Sequence, residues 1–308
     1  MDMSGALTSE DATIAIMMYA LLAALTTIQA APAANPLHAA VERLTTAASN
    51  QERFEAVTAL LRARNIAFTV ERFRIDRPLR KEPRTDGRNI VASFGSGAKA
   101  IVVGAHYDAA RLEDGTLSRG ATDNAGSSVI LATIAESLKA QPPAGRVTLV
   151  WFDMEELGLI GSRKFLDAHA SDPISAMVNL DVNAYGDTLI FGASRGAENA
   201  APRKAVLETC AALDASCVGL VQMPPGDDRS FAKAGIPAVS VALLPALEAH
   251  QLWLLMSGPG SGLAEGRMPA IMTTLHTAAD TLDKIDPAAM AQQAAFVTAL
   301  VRRLDAHR

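Results

Sequence analysis

Val147–Phe165 reads VTLVWFDMEELGLIGSRKF, and its two halves follow different rules. Val147–Phe152 is short, apolar and rich in β-forming side chains, which predicts a central strand covered on both faces. Leu157–Ala168 has the length of the helix that follows such a strand, with Gly158 and Gly161 serving the turn between them. Asp153 and the adjacent pair Glu155 and Glu156 lie between the two, so the strand delivers carboxylates to the rim of a sheet. Neighbouring side chains at a turn point in different directions. One carboxylate can therefore face a metal while the other faces a water to be activated, the division of labour a metallohydrolase needs. Taken alone, two glutamates fit a solvated acidic loop better, and the remaining chain decides between the readings.

The pattern recurs. Ala100–Ala105 (AIVVGA) is a continuous apolar run ending in His106-Tyr107-Asp108, and Ala176–Leu180 is another, ending in Asp181. Further strands are expected at Ala67–Phe73, Asn89–Phe94, Thr188–Phe191, Val218–Val221 and Ala238–Leu243. Helices are expected at Ser127–Lys139, stopped by Pro142 and Pro143, and at Ala201–Leu213. Ser49 with Glu52 predicts a capping box ahead of a helix that buries Phe54, Val57, Leu60 and Leu61. Asp286 before Pro287 predicts the start of a carboxy-terminal scaffold helix. Helices alternating with apolar strands define an α/β chain, a single three-layer domain with a mostly parallel, twisted sheet and helices on both faces. Ligands of such sheets gather at the carboxyl ends of the strands. His106, Asp108, Glu155, Glu156 and Asp181 all fall there.

With 308 residues, 49% hydrophobic and 20% charged, and a net charge of -5, the chain reads as an ordinary, mildly acidic globular protein. Basic residues are scattered except in Arg72 to Arg88, where Asp76, Glu82 and Asp86 interleave with them; this predicts a solvated surface loop and gives no nucleic-acid footprint. Residues 1–34 stand apart from the domain expected at 35–308. Ala12–Leu25 (ATIAIMMYALLAAL) has the length of a signal-peptide apolar region and is too short for a stable membrane span. It predicts export to the periplasm or beyond, against an amino end that carries Asp2, Glu10 and Asp11 and no basic residue. Cys210 and Cys217 could bridge only if the chain turns near Asp214–Ser216, because seven residues of continuous helix would hold them about 10 Å apart. Pro245–Ile271, rich in Leu, Met, Gly and Trp253, is either a pocket wall or a packing surface for another subunit.

Two imidazoles and several carboxylates suit one or two zinc ions, since both donor types bind zinc at about 2 Å and leave a position open for water. The motifs that carry these residues are VVGAHYDA (Val102–Ala109), GATDNAGS (Gly120–Ser127), FDMEELGLIGSRKF (Phe152–Phe165), NLD (Asn179–Asp181), FAKAGIPAV (Phe231–Val239) and LHTAADTLDKID (Leu275–Asp286). In these six motifs and their order the chain resembles the co-catalytic zinc aminopeptidases of metallopeptidase family twenty-eight, which includes bacterial leucyl aminopeptidases and glutaminyl cyclases. The resemblance implies two zinc ions bridged by Asp123, one site completed by His106 and Asp181 and the other by Glu156 and His276. It implies Glu155 as general base, Asp108 as the residue that orients the His ligand, and a cis peptide at Asp123-Asn124. The expected activity is removal of amino-terminal residues from peptides. The alternatives are a single-zinc glutaminyl cyclase and an inactive binding module of the same fold; carboxypeptidase action fits the same metals, though no Arg for a substrate carboxylate is identifiable. Many relatives carry Asp-His ahead of the FAKAGIPAV-like motif. Asp227 and Asp228 stand there instead and are the candidate substrate-binding residues, with His250 as a conceivable substitute for the missing imidazole.

Overall fold

The computed structural model describes residues 35–79, 83–192, 200–258, 260–264 and 266–307, and Asn35–Arg308 makes one compact unit. The expected signal segment, residues 1–34, lies outside the described residues. In chain order the elements are α1 (Pro36–Thr45), α2 (Asn50–Ala63), β1 (Thr69–Arg74), β2 (Asp86–Phe94), β3 (Ala100–His106), a π-helical turn (Ala121–Ala125), α3 (Gly126–Ala140), β4 (Arg146–Phe152), α4 (Ile160–Ala168), β5 (Ile174–Leu180), β6 (Thr188–Gly192), α5 (Ala200–Ala212), β7 (Cys217–Gly219), α6 (Asp228–Lys233), β8 (Ala238–Leu244), α7 (Ala246–Ser257), α8 (Ile271–Thr274) and α9 (Pro287–Ala306).

The strands form one sheet in the order β1-β2-β4-β3-β5-β8-β6-β7. Its middle, β4-β3-β5-β8, is parallel throughout. The flanks are mixed: β1 and β2 run antiparallel, as do β2 and β4 and as do β6 and β8. The parallel core is where both faces must be covered, and alternation inside the apolar runs does this. In β8, Val239, Val241 and Leu243 enter one core, while Ala238, Ala242 and Leu244 face the opposite side. In β4, Val147, Leu149 and Trp151 join the first core, and Val150 and Phe152 the second, where Phe152 meets Phe165 of α4 and Phe231 of α6. Helices α1, α2, α3, α5 and α9 cover one face; α4, α6 and α7 cover the other. Three layers result.

Several boundaries differ from the sequence expectation. The helix after β4 begins at Ile160, not Leu157, because Met154, Gly158 and Leu159 take left-handed backbone angles (φ 56, 97 and 63°) that no helix accommodates. Gly161 then packs so tightly that a Cβ would lie 2.1 Å from the Asp153 carbonyl oxygen. Ser49 caps α2 by accepting from the Glu52 N–H, while the Glu52 carboxylate accepts from the Ala48 N–H (2.9 Å) and from the Ser49 hydroxyl (3.4 Å). Arg72 to Arg88 is not simply a solvated loop, since it holds the end of β1 and the start of β2, and Arg88 is buried against the Phe54 ring, 4.3 Å from its centroid. Residues 80–82 of that stretch lie outside the described residues. Cys210 and Cys217 form a disulfide, the chain reversing at Asp214 (φ 49°) to tie α5 to β7. Among the described residues no helix is long and apolar enough to cross a membrane.

Candidate metal centre

Strand β3 is flanked by β4 and β5, which the chain reaches by winding first to one side and then to the other. Loops diverge at such a reversal and leave a crevice at the carboxyl ends of the strands. His106 is the last residue of β3, Asp181 follows the last residue of β5, and Glu155 and Glu156 lie just beyond β4. Asp123 enters from the turn ahead of α3, and His276 from the chain after α8 with a left-handed backbone (φ 57°).

Asp123 stands at the centre. Its Oδ1 lies 3.1 Å from His106 Nε2, and its Oδ2 lies 3.1 Å from His276 Nε2. Asp181 Oδ1 is 3.7 Å from the same His106 nitrogen, and Glu156 Oε2 is 3.0 Å from His276 Nε2. Two donor clusters therefore share one carboxylate: His106, Asp123 and Asp181 in the first, Asp123, Glu156 and His276 in the second. Glu155 is set back from both, with Oε2 4.0 Å from His106 Nε2.

Residues that the sequence did not single out hold this arrangement. Asp280 is fully buried and accepts from Thr122 N–H (2.8 Å), Thr122 Oγ1 (2.7 Å) and Asp123 N–H (3.0 Å). The Asp123-Asn124 peptide is cis, as the resemblance implied. The Asn124 amide donates to the Leu180 carbonyl (2.9 Å) and accepts from Val182 N–H (3.3 Å), gripping the chain on either side of Asp181. Arg53, also fully buried, donates to the carbonyls of Tyr107 (2.6 Å), Arg119 (2.9 Å) and Gly120 (3.3 Å), which joins the end of β3 to the turn carrying Asp123. Burial lowers the Arg53 pKa to about 10, leaving it charged at neutral pH. The only signals for these residues were their positions inside the quoted motifs or, for Arg53, a charge on the buried side of an amphipathic helix.

Asp108 faces both the glutamate turn and the His106 ring. Its carboxylate accepts the N–H groups of Glu155 (3.1 Å) and Glu156 (3.2 Å), so it sets the turn that carries the pair. His106 Nδ1 lies 3.1 Å from the Asp108 main-chain carbonyl and 3.5 Å from its carboxylate, so the backbone oxygen is the nearer anchor for the ring. Asp153, the first carboxylate of the opening stretch, turns away and is occupied by Arg84 and by the N–H of Arg88. Asp227 and Asp228, at the start of α6, are buried and do not line the larger cavity beside the clusters, where Arg229 and Lys233 do. His250 is exposed, stacks on Trp253 and is also absent from that cavity.

The donors fit a divalent cation. Tetrahedral bonds of about 2.0–2.1 Å put donor atoms roughly 3.3 Å apart, and the four pairs above lie at 3.0–3.7 Å. Glu156 Oε1 and Asp181 Oδ1 are buried without a hydrogen-bond partner among the described residues. The local charge agrees. Burial and the neighbouring Asp123 push Glu156 up to about 7, and burial, with Asp227, Asp181 and Glu156 nearby, pushes Glu155 well above the usual range. Hydrogen bonds to Asp123 and Glu156 raise the His276 imidazole to about 11, so the same negative field that retains a proton there would be neutralised by a bound cation.

The sequence profile described as peptidase family M28 matches residues 89–301. The chain belongs to peptidase family M28. A probable leucine aminopeptidase of Arthroderma otae is 27% identical over 223 residues, covering 68% of this chain and 55% of that relative. The chain thus spans about half the length of the curated relatives it matches most fully. Among solved structures, a zinc aminopeptidase from Bacillus subtilis superposes with a TM-score of 0.65 at 14% identity, covering 86% of this chain and 93% of the other. A glutaminyl cyclase from an Acidobacteriales bacterium gives a TM-score of 0.66 at 21% identity, covering 91% and 100%. These likenesses extend to the fold.

In this M28 member two cavities flank the clusters. One of about 270 Å³ lies on the Asp108 side, bordered by Asn50, Leu112, Glu156 and His276. The other, about 640 Å³, is mainly apolar and includes Val182, Ile190, Met223, Leu244 and Leu275. Leu252 and Ile271 contribute from the Pro245–Ile271 stretch, which accordingly forms part of a pocket wall while leaving Leu247 and Trp253 at the surface. Glu248 fastens that wall, accepting from Tyr185 OH (2.5 Å) and from Ile271 N–H (2.7 Å).

Proposed function

We propose that the chain is a zinc-dependent aminopeptidase that binds two metal ions and removes amino-terminal residues from peptides. The carrying observation is the Asp123 carboxylate, with each oxygen 3.1 Å from a different imidazole and a second carboxylate beside each imidazole. His106, Asp123 and Asp181 would hold one ion, and Asp123, Glu156 and His276 the other; the absence of thiolates suits a hydrolytic site. Zinc bound there supplies Lewis acidity toward a scissile carbonyl and toward water.

The protein's own groups do the remainder. Asp108 holds the Glu155 and Glu156 N–H groups, so the two side chains leave one turn in different directions. Glu155 takes the proton from the attacking water and passes it to the departing amine. The apolar cavity receives the amino-terminal side chain, and the buried carboxylates around the clusters favour a free α-ammonium group. The Cys210–Cys217 disulfide supports placing the enzyme in an oxidising compartment, outside the cytosol.

The test is hydrolysis of aminoacyl chromogenic amides by the metal-loaded protein and by Glu155→Gln. The variant is expected to keep its metal content and lose at least about 100-fold in kcat; undiminished turnover would remove Glu155 from the mechanism. The fold is shared with glutaminyl cyclases, so an amino-terminal glutaminyl peptide belongs in the same assay. Ammonia release from it, with no hydrolysis of the chromogenic amides, would assign cyclase activity instead.

A further inference from the structure

The larger cavity carries charge of both signs in different places. Glu155, Glu156 and Asp181 border it on the side of the clusters, while Arg163 of α4 and Arg229 and Lys233 of α6 also line it. Arg229 and Lys233 are one helical turn apart and so share a face. Among the described residues none of the three cations forms an ion pair within 4.0 Å; the Arg163 guanidinium donates to the Gly158 carbonyl, which is uncharged. Arg163 and Lys233 are exposed and Arg229 half-buried, so this positive charge belongs to the solvent-facing part of the lining. Cations gathered on one cavity without an ion-pair partner attract an anionic group more than a neutral one. A cavity of about 640 Å³ is large enough for a small ligand to reach both regions.

Resting on the peptidase reading above, we infer that the preferred substrates are short peptides that carry a carboxylate close behind the scissile bond, recognised by Arg229, Lys233 and Arg163. The ammonium end lies toward Glu155, Glu156 and Asp181, the apolar first side chain against the cavity wall, and the carboxylate at the solvent-facing cations. Two sources supply such a group: the chain end of a dipeptide, or an Asp or Glu side chain after the cleaved bond.

Steady-state kinetics on Leu-Ala as the free acid, Leu-Ala amide and Leu-Glu amide separate these sources. The free acid should exceed its amide in kcat/KM by roughly tenfold, the size expected of two partly screened rim contacts. If side-chain carboxylates are also accepted, Leu-Glu amide should recover the advantage. Arg229→Gln/Lys233→Gln should collapse the acid-to-amide ratio toward one, and raising salt to roughly 0.5 M should shrink it in the unaltered enzyme, a readout that does not depend on the variant folding. Equal rates for all three substrates would overturn the inference and leave the peptidase reading intact, as would a ratio indifferent to both salt and the double substitution. Failure to cleave any of them, or the chromogenic amides, would overturn both.

Discussion

Asp280 touches no candidate ligand atom, yet three of its hydrogen bonds end on Thr122 and Asp123. Two of them fix backbone N–H groups, so the direction in which the Asp123 carboxylate leaves the chain depends on a residue 157 positions away. Supports of this kind commonly account for 10–100-fold in metal affinity. Asp280→Ala should therefore weaken metal binding by about that factor in a competition titration against a chelator, while a folded protein with undiminished affinity would show that the contact is only structural. The ligand candidates were legible because each sits at a strand end or helix entry, where local pattern predicts position. Asp280, Asn124 and Arg53 were not, since their roles consist of bonds to backbone groups distant in sequence that no local period encodes. Asp227 and Asp228, read from the sequence as substrate-binding candidates, are buried and stand outside the lining of the larger cavity, where Arg229 and Lys233 appear; around a short helix the side of the turn that faces a cavity changes within one or two residues, which no local pattern encodes.

At the scale of elements, two ties secure the framework. His169, at the end of α4, lies 2.8 Å from Glu71 of β1 and 3.0 Å from Asp172, and so fastens a helix to the outermost strand of one flank. Burial lowers its pKa, but the carboxylates outweigh this and hold it above the ordinary value. A raised folded-state pKa adds stability that is complete below the unfolded value and disappears as pH rises through the folded one. His169→Gln should accordingly lower the urea midpoint at about pH 5.5 and match the parent at about pH 9; a difference independent of pH would refute the ion-pair account. The Cys210–Cys217 bridge closes a short loop with seven positions of sequence separation, for which chain entropy gives about 2 kcal/mol. Replacing both cysteines by Ser should reduce the unfolding free energy by about that amount, and unchanged denaturation midpoints would show that the loop needs no staple. The turn at Asp214 that permits the bridge was legible from its neighbours, whereas the antiparallel flanks of the sheet were not, because strand direction is set by partners that an apolar run does not specify.

On the whole-molecule scale, the three-layer architecture brings five sequence segments to one crevice, and the winding reversal around β3 is what places His106 and Asp181 on its two sides. The α/β class, the central parallel strands and the convergence of strand ends could be read from alternating apolar runs and helices. The cavity could not, since Val182, Met223, Leu252 and Leu275 come from separate loops and helices whose mutual placement depends on tertiary packing. The central claim is that Asp123 is shared by two metal sites. Elemental analysis of the purified, zinc-equilibrated protein tests it most directly: the account predicts two zinc ions per chain, both lost along with activity on chelation, and a stoichiometry of one or none would contradict it.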